Sequence, residues 1–153
     1  MLTNNFIYAL SNSFDVSHNM TSEAGSNGDS TAIDKLFNSS NWPSSTIKIG
    51  TGTTLPTGSD YCLENAITSG YSITTKTKSL ITYGDKNAIA ISAIITNTSD
   101  SDIAFSEIGY VAANVWNPSQ GYKTMYLLAR EVFDEPVVIE PGGSQAVSIR
   151  ISL

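Results

Sequence analysis

Few side chains in this sequence combine the types and spacing that chemistry requires. Gly50-Thr51-Gly52-Thr53-Thr54 has the glycine content of a phosphate-cradling loop. It lacks the lysine of a Walker motif and the third glycine of a dinucleotide fingerprint, and no long helical pattern follows it. A connection that uses glycine for its backbone freedom is the simpler reading. Two carboxylate sets offer oxygen ligands to a hard cation: Asp100, Asp102 and Glu107, and then Glu131, Asp134, Glu135 and Glu140. Neither has the spacing of a calcium-binding EF-hand loop. Asp100 and Asp102 also fall in a turn, where aspartate is expected on backbone grounds. A carboxylate pair for glycoside cleavage is possible in principle, but nothing singles out two partners.

His18 is the only histidine and Cys62 the only cysteine. Multi-histidine zinc sites and most histidine-dependent nucleophilic chemistry are thereby removed, and so is any intramolecular disulfide. His18 sits in a Ser/Asn-rich stretch and reads as solvated. Cys62, beside Leu63, reads as a small buried hydrophobe. No catalytic residue, metal ligand or cofactor is assigned, and the chain reads as a non-enzyme. The aromatics Trp42, Tyr110, Trp116, Tyr122 and Tyr126 form a possible sugar-stacking set. Trp116, next to the Asn117-Pro118 turn, and Tyr122 are its best candidates for a recognition surface. The competing reading places aromatics in the core or at an interface.

These residues need elements to hold them, and the clearest element closes the chain. Val147, Ile149, Ile151 and Leu153 alternate with Ser148, Arg150 and Ser152, the period of a half-buried antiparallel strand. Pro141-Gly142-Gly143 before it is a turn in which proline fixes φ and glycine allows φ > 0. Further strands are expected at 46–49, 71–83, 88–96, 103–112, 123–132 and 136–139. The apolar segment 88–96 reads as a central strand, and turns separate the strands at short intervals. Seven or eight strands of this kind indicate an all-β fold, an antiparallel β-sandwich of jelly-roll or Ig-like type.

Residues 1–45 differ. They are rich in Asn and Ser, with a Gly-containing polar stretch at 21–31 and at most a helical turn at 32–37. This segment reads as a long irregular arm ahead of a sandwich domain spanning 46–153. Its apolar residues, among them Phe6, Tyr8 and Phe14, are too many for a pure linker. They are expected to dock the arm, either on another chain in an assembly or on its own sandwich.

Charged residues make up only 14% of the 153 residues, and net charge is −6. Ordinary soluble domains carry about a quarter. No Lys/Arg run exists, so neither nucleic acid nor an anionic membrane is an expected partner. No apolar run reaches the ~20 residues that span a bilayer. The N-terminus lacks the basic start and the apolar length of a signal peptide, so residence in the cytoplasm, or exit by a route other than secretion such as release inside a particle, is expected.

Six segments, taken in order, resemble a group of bacteriophage virion proteins. They are Ile49-Gly50-Thr51-Gly52-Thr53-Thr54-Leu55-Pro56, Asp60-Tyr61-Cys62-Leu63-Glu64, Ile95-Thr96-Asn97-Thr98-Ser99, Ser106-Glu107-Ile108-Gly109-Tyr110, Leu128-Ala129-Arg130-Glu131-Val132 and Ile139-Glu140-Pro141-Gly142-Gly143. The group consists of small β-sandwich subunits of tail-fibre, tail-appendage and head-decoration type. The resemblance implies a structural subunit of the tail or fibre apparatus or of the capsid exterior. Such a subunit is assembled in the host cytoplasm, resides in the virion, and works by contacts with other virion proteins and with copies of itself. It carries over no catalytic residue. The alternative reading is a carbohydrate-binding module that contacts a host surface glycan.

Overall fold

The computed structural model describes residues 1–6, 46–83, 86–114 and 124–152. Strands account for 65% of the described residues and helix for 3%. Six strands are found among the described residues: β1 (Thr46–Gly50), β2 (Tyr71–Tyr83), β3 (Lys86–Asn97), β4 (Ile103–Asn114), β5 (Thr124–Ile139) and β6 (Ser144–Ser152). They form two three-stranded antiparallel sheets, β1-β4-β5 and β2-β3-β6, packed as a sandwich. β1 lies against β2, and β5 against β6.

The core follows from strand alternation. Ile91, Ala93 and Ile95 of β3 face Ile108 and Tyr110 of β4, with Val147, Ile149 and Ile151 of β6 completing one side. Arg150 between them is exposed. β3 is central, as its apolar sequence requires; Leu153 lies outside the described residues. The expected seven or eight strands become six among the described residues. One reason is that 123–132 and 136–139 are a single strand, β5. Pro136 does not end it, because β5 bulges away from β4 between Val132 and Val137. A proline without an N–H is tolerated at such a bulge on an edge strand.

β4 is buried on both faces, which a plain sandwich does not demand. Its outer face, with Val111, packs on Leu127 of β5 and on Leu63 from the 51–70 connection. That connection therefore acts as a lid over the outside of the β1-β4-β5 sheet.

Where β3 and β5 end, Asn97 ties the two sheets. It is fully buried, and its Nδ2 donates to the carbonyls of Ser101 and Ile139, both at 2.8 Å. Its Oδ1 accepts from the N–H and hydroxyl of Ser99 at 2.8 and 2.7 Å. Gly142, at φ +74, lets the β5–β6 turn fold back so that its N–H reaches the Asn97 carbonyl at 3.1 Å.

The first residues add a short partner to β5. Leu2 bridges to Ala129, Thr3 N–H donates to the Leu128 carbonyl, and Arg130 N–H donates to the Met1 carbonyl. The Thr3 hydroxyl and the Asn5 amide both donate to the Leu127 carbonyl. Phe6 is buried in the main core. For this residue the docking partner is the chain's own sandwich. Tyr8 and Phe14, like His18, Trp42 and the helical turn at 32–37, lie outside the described residues. So do Trp116 and Tyr122.

Candidate functional site

Among the described residues, the densest arrangement of charged groups is centred on Arg130. β5 places it opposite Gly109, diagonal to Glu107, which sits opposite Val132. Both project to the outer face, beneath the 51–70 connection. The guanidinium makes three ion pairs. Nε donates to Glu107 Oε2 at 2.8 Å, Nη1 to Asp60 Oδ2 at 2.8 Å and Nη2 to Glu64 Oε2 at 3.3 Å. Arg130 is only 3% exposed and Glu107 is fully buried. A buried charge is tolerated when it is paired and hydrogen-bonded, and both conditions hold for this pair.

Glu107 also accepts three backbone N–H bonds from the connection: Gly52 at 3.1 Å, Glu64 at 3.2 Å and Asn65 at 2.8 Å. One carboxylate on β4 thus replaces the regular partners that the loop backbone would otherwise lack. The loop adds local bonds of its own. Glu64 accepts from the N–H groups of Thr53 and Thr54 and from the Thr54 hydroxyl. Asp60 accepts from the N–H and hydroxyl of Thr57. The Ser106 hydroxyl donates to the Gly52 carbonyl at 3.0 Å.

The glycines of Gly50-Thr51-Gly52 are explained by close approach. A Cβ on Gly52 would stand 2.6 Å from Glu64 Cβ and 2.7 Å from Glu107 Cδ; one on Gly50 would meet the Glu107 carboxylate. The loop wraps a carboxylate of its own protein. Gly52→Ala is expected to cost about 1–3 kcal/mol by overpacking, read as a lower urea midpoint. Gly58→Ala, which meets only the Asn4 side chain at 3.1 Å, is expected to stay within about 0.5 kcal/mol. Equal effects at the two positions would refute the close-approach account.

Electrostatics point the same way. Burial works against ionisation of Asp60, but the bonds from Thr57 and Arg130 outweigh it and hold the carboxyl below its ordinary range. The Thr54 N–H and hydroxyl hold Glu64 low as well. Burial opposes the charge on Arg130, yet the bonds to Asp60 and Glu107 raise its pKa. Both carboxyls titrate lower folded than unfolded. Their contribution is complete above the ordinary values of 3.8 for Asp60 and 4.5 for Glu64, and is lost as pH falls below them. The urea midpoint should be flat between about pH 6 and 5 and should drop below about pH 4.5. In Asp60→Asn the plateau should be lower and the acid limb shallower. A midpoint that rises on acidification would contradict the assignment.

A cleft of about 430 Å³ opens beside the cluster, lined by Thr54, Ser59, Asp60, Tyr61, Cys62, Glu64 and Arg130. Each guanidinium nitrogen that faces a carboxylate is already engaged, and the carboxyls of Asp60 and Glu64 are held low. The arrangement works as a clasp that pins a loop to a sheet. Cys62 is half-buried at this cleft, a correction to its reading as a core residue.

Several expected groupings separate. Glu107 belongs to the clasp, whereas Asp100 and Asp102 are exposed in the β3–β4 connection. Asp134, Glu135 and Glu140 are exposed on or just after β5. Among the described residues no group of three or more His, Cys, Asp or Glu is placed to hold a metal ion. Tyr110 and Tyr126 are each 1% exposed in the main core, so neither belongs to a sugar-stacking surface.

Sequence reasoning did not assemble the clasp. Its signal was Arg130 itself, a cation ending the otherwise buried run Tyr126-Leu127-Leu128-Ala129, since arginine is rarely buried without a partner. No family model matches the chain, and no curated protein or solved structure matches it.

Proposed function

We propose that the chain is a structural, non-enzymatic component of a bacteriophage particle: a β-sandwich subunit of the tail or fibre apparatus or of the capsid exterior. The observation that carries the reading is where the six phage-like segments fall. Four of them supply the clasp: Gly50 and Gly52, then Asp60 and Glu64, then Ser106 and Glu107, then Arg130. The other two supply the tie where β3 and β5 end, Asn97 with Ser99 and Ile139 with Gly142. The likeness therefore rests on residues that hold loops to sheets, which general strand alternation does not require.

The test is mass spectrometry of purified phage particles from the source of this chain. Peptides from both halves of the sandwich are expected in a fixed, multicopy ratio to the major structural proteins. A chain abundant in infected cells and absent from particles would overturn the reading. Binding to a host polysaccharide without incorporation would favour the carbohydrate-binding alternative.

A further inference from the structure

We propose that this chain self-associates head to tail, the β2–β3 hairpin of one copy docking on the β5–β6 flank of the next. The inference rests on the assembly reading and names the partner as a second copy.

Three observations converge. The first is position. Because β1 lies against β2 and β5 against β6, the β2 edge and the β5–β6 edge occupy opposite flanks of the sandwich. The two cannot meet within one copy.

The second is charge. Residues 71–97 carry Lys76, Lys78 and Lys86 against Asp85 alone, a basic hairpin in a chain of net charge −6. Residues 131–140 carry Glu131, Asp134, Glu135 and Glu140 and no cation. Asp134, Glu135 and Glu140 are exposed and form no ion pair with a described residue. Opposite charge on opposite flanks fits a heterologous contact. A two-fold β2–β2 pairing would instead bring together two strands of the same net charge, which like charges disfavour.

The third is shape. Leu80 stands opposite Ile89, on the row that faces the core further along the hairpin, yet it is 72% exposed. On the acidic flank a groove of about 430 Å³ is lined by Phe133, Val137, Ala146 and Val147 together with the polar Ser92, Gln145, Ser148 and Arg150. Val138, 56% exposed, stands next to it in sequence. An aliphatic side chain entering a groove of mixed apolar and polar lining, with Asp134 and Glu135 exposed on the same strand, has the make-up of a specific interface. Pro136 and the bulge deny β5 a continuous row of edge donors, so the contact is made by side chains and not by strand addition.

The experiment is sedimentation equilibrium on the full chain at about 20 mM and about 500 mM salt. Mass should rise with concentration at low salt and return to the monomer at high salt. Two neutral variants block one face each: Lys76→Thr/Lys78→Thr/Leu80→Ser on the hairpin, and Asp134→Asn/Glu135→Gln on the flank. Each alone should be monomeric with an unchanged circular dichroism spectrum. Mixed, they should form a heterodimer and nothing larger, because only one complementary pair of faces remains. A wild type that is monomeric at low salt, a blocked variant that assembles like wild type, or a mixture that stays monomeric would each overturn the proposal. Peptides found in particles alongside a monomeric pure chain would defeat self-association and leave the particle reading standing.

Discussion

Arg130→Met lowers the thermal midpoint by roughly 6–20 °C, equivalent to about 3–5 kcal/mol. The size comes from what is left behind. Glu107 remains fully buried on β4, and its nearest compensating cation is gone. Three backbone N–H groups still face it, but they do not carry the full charge. Asp60 and Glu64 lose the same partner and repel one another across the cleft. Arg130→Lys is intermediate, because one ammonium cannot span three carboxylates that a planar fork reaches together. Glu107→Gln added to Arg130→Met should recover part of the loss. The amide removes the buried charge and keeps an oxygen for the loop N–H groups. A differential scanning calorimeter decides it: an Arg130→Met shift under about 2 °C would mean that the clasp is ornamental to the fold.

Ile149→Lys is the second large effect, costing more than about 4 kcal/mol and giving little soluble protein. Ile149 is 1% exposed and pairs with Ile91 in the middle of the β2-β3-β6 sheet. A lysine there has no described carboxylate among its core neighbours. Ser148→Lys, one residue away, faces the other side, where Ser92 donates a hydroxyl bond to Ser148 at 3.1 Å. Its cost should stay near the worth of that bond, about 0.5–1.5 kcal/mol. Urea denaturation of the two variants side by side tests the register directly. Tolerance at 149 with collapse at 148 would place every inward residue of β6 on the wrong face.

The two predictions differ in how far the sequence alone supports them. The β6 argument was legible because a strand with one wet face writes its register as alternation, and Pro141-Gly142-Gly143 marks where it begins. The Arg130 argument was not. Glu107 was grouped with Asp100 and Asp102 by nearness in sequence, but an extended strand moves each residue about 3.3 Å onward. By position 107 the chain is well inside a sheet. Its true companions, residues 52, 60, 64, 65 and 130, come from three separate stretches that meet only in the folded state. The ranges 123–132 and 136–139 stood apart for a related reason. A proline forbids one ladder bond, and whether the strand resumes depends on the partner's ability to accept a bulge. Asp60, Glu64, Glu107 and Arg130 lie in three different segments of the resemblance, and nothing in the sequence grouped them.

The pairing of residues 1–3 with 128–130, and of β3 with β6, has a consequence for synthesis. Only β2–β3 and β4–β5 join strands that are consecutive in the chain. As the polypeptide leaves the ribosome, the isoleucine-rich β3 emerges with one open edge and stays so until β6 arrives some fifty residues later. The opening residues wait longer still for β5. Contacts of such separation close slowly, and open strand edges invite intermolecular pairing meanwhile. Lysines at 76, 78 and 86 give the waiting hairpin a charge that discourages premature pairing with identical nascent hairpins. A chain interrupted before β6 leaves that edge of β3 open and should aggregate instead of surviving as a shortened domain.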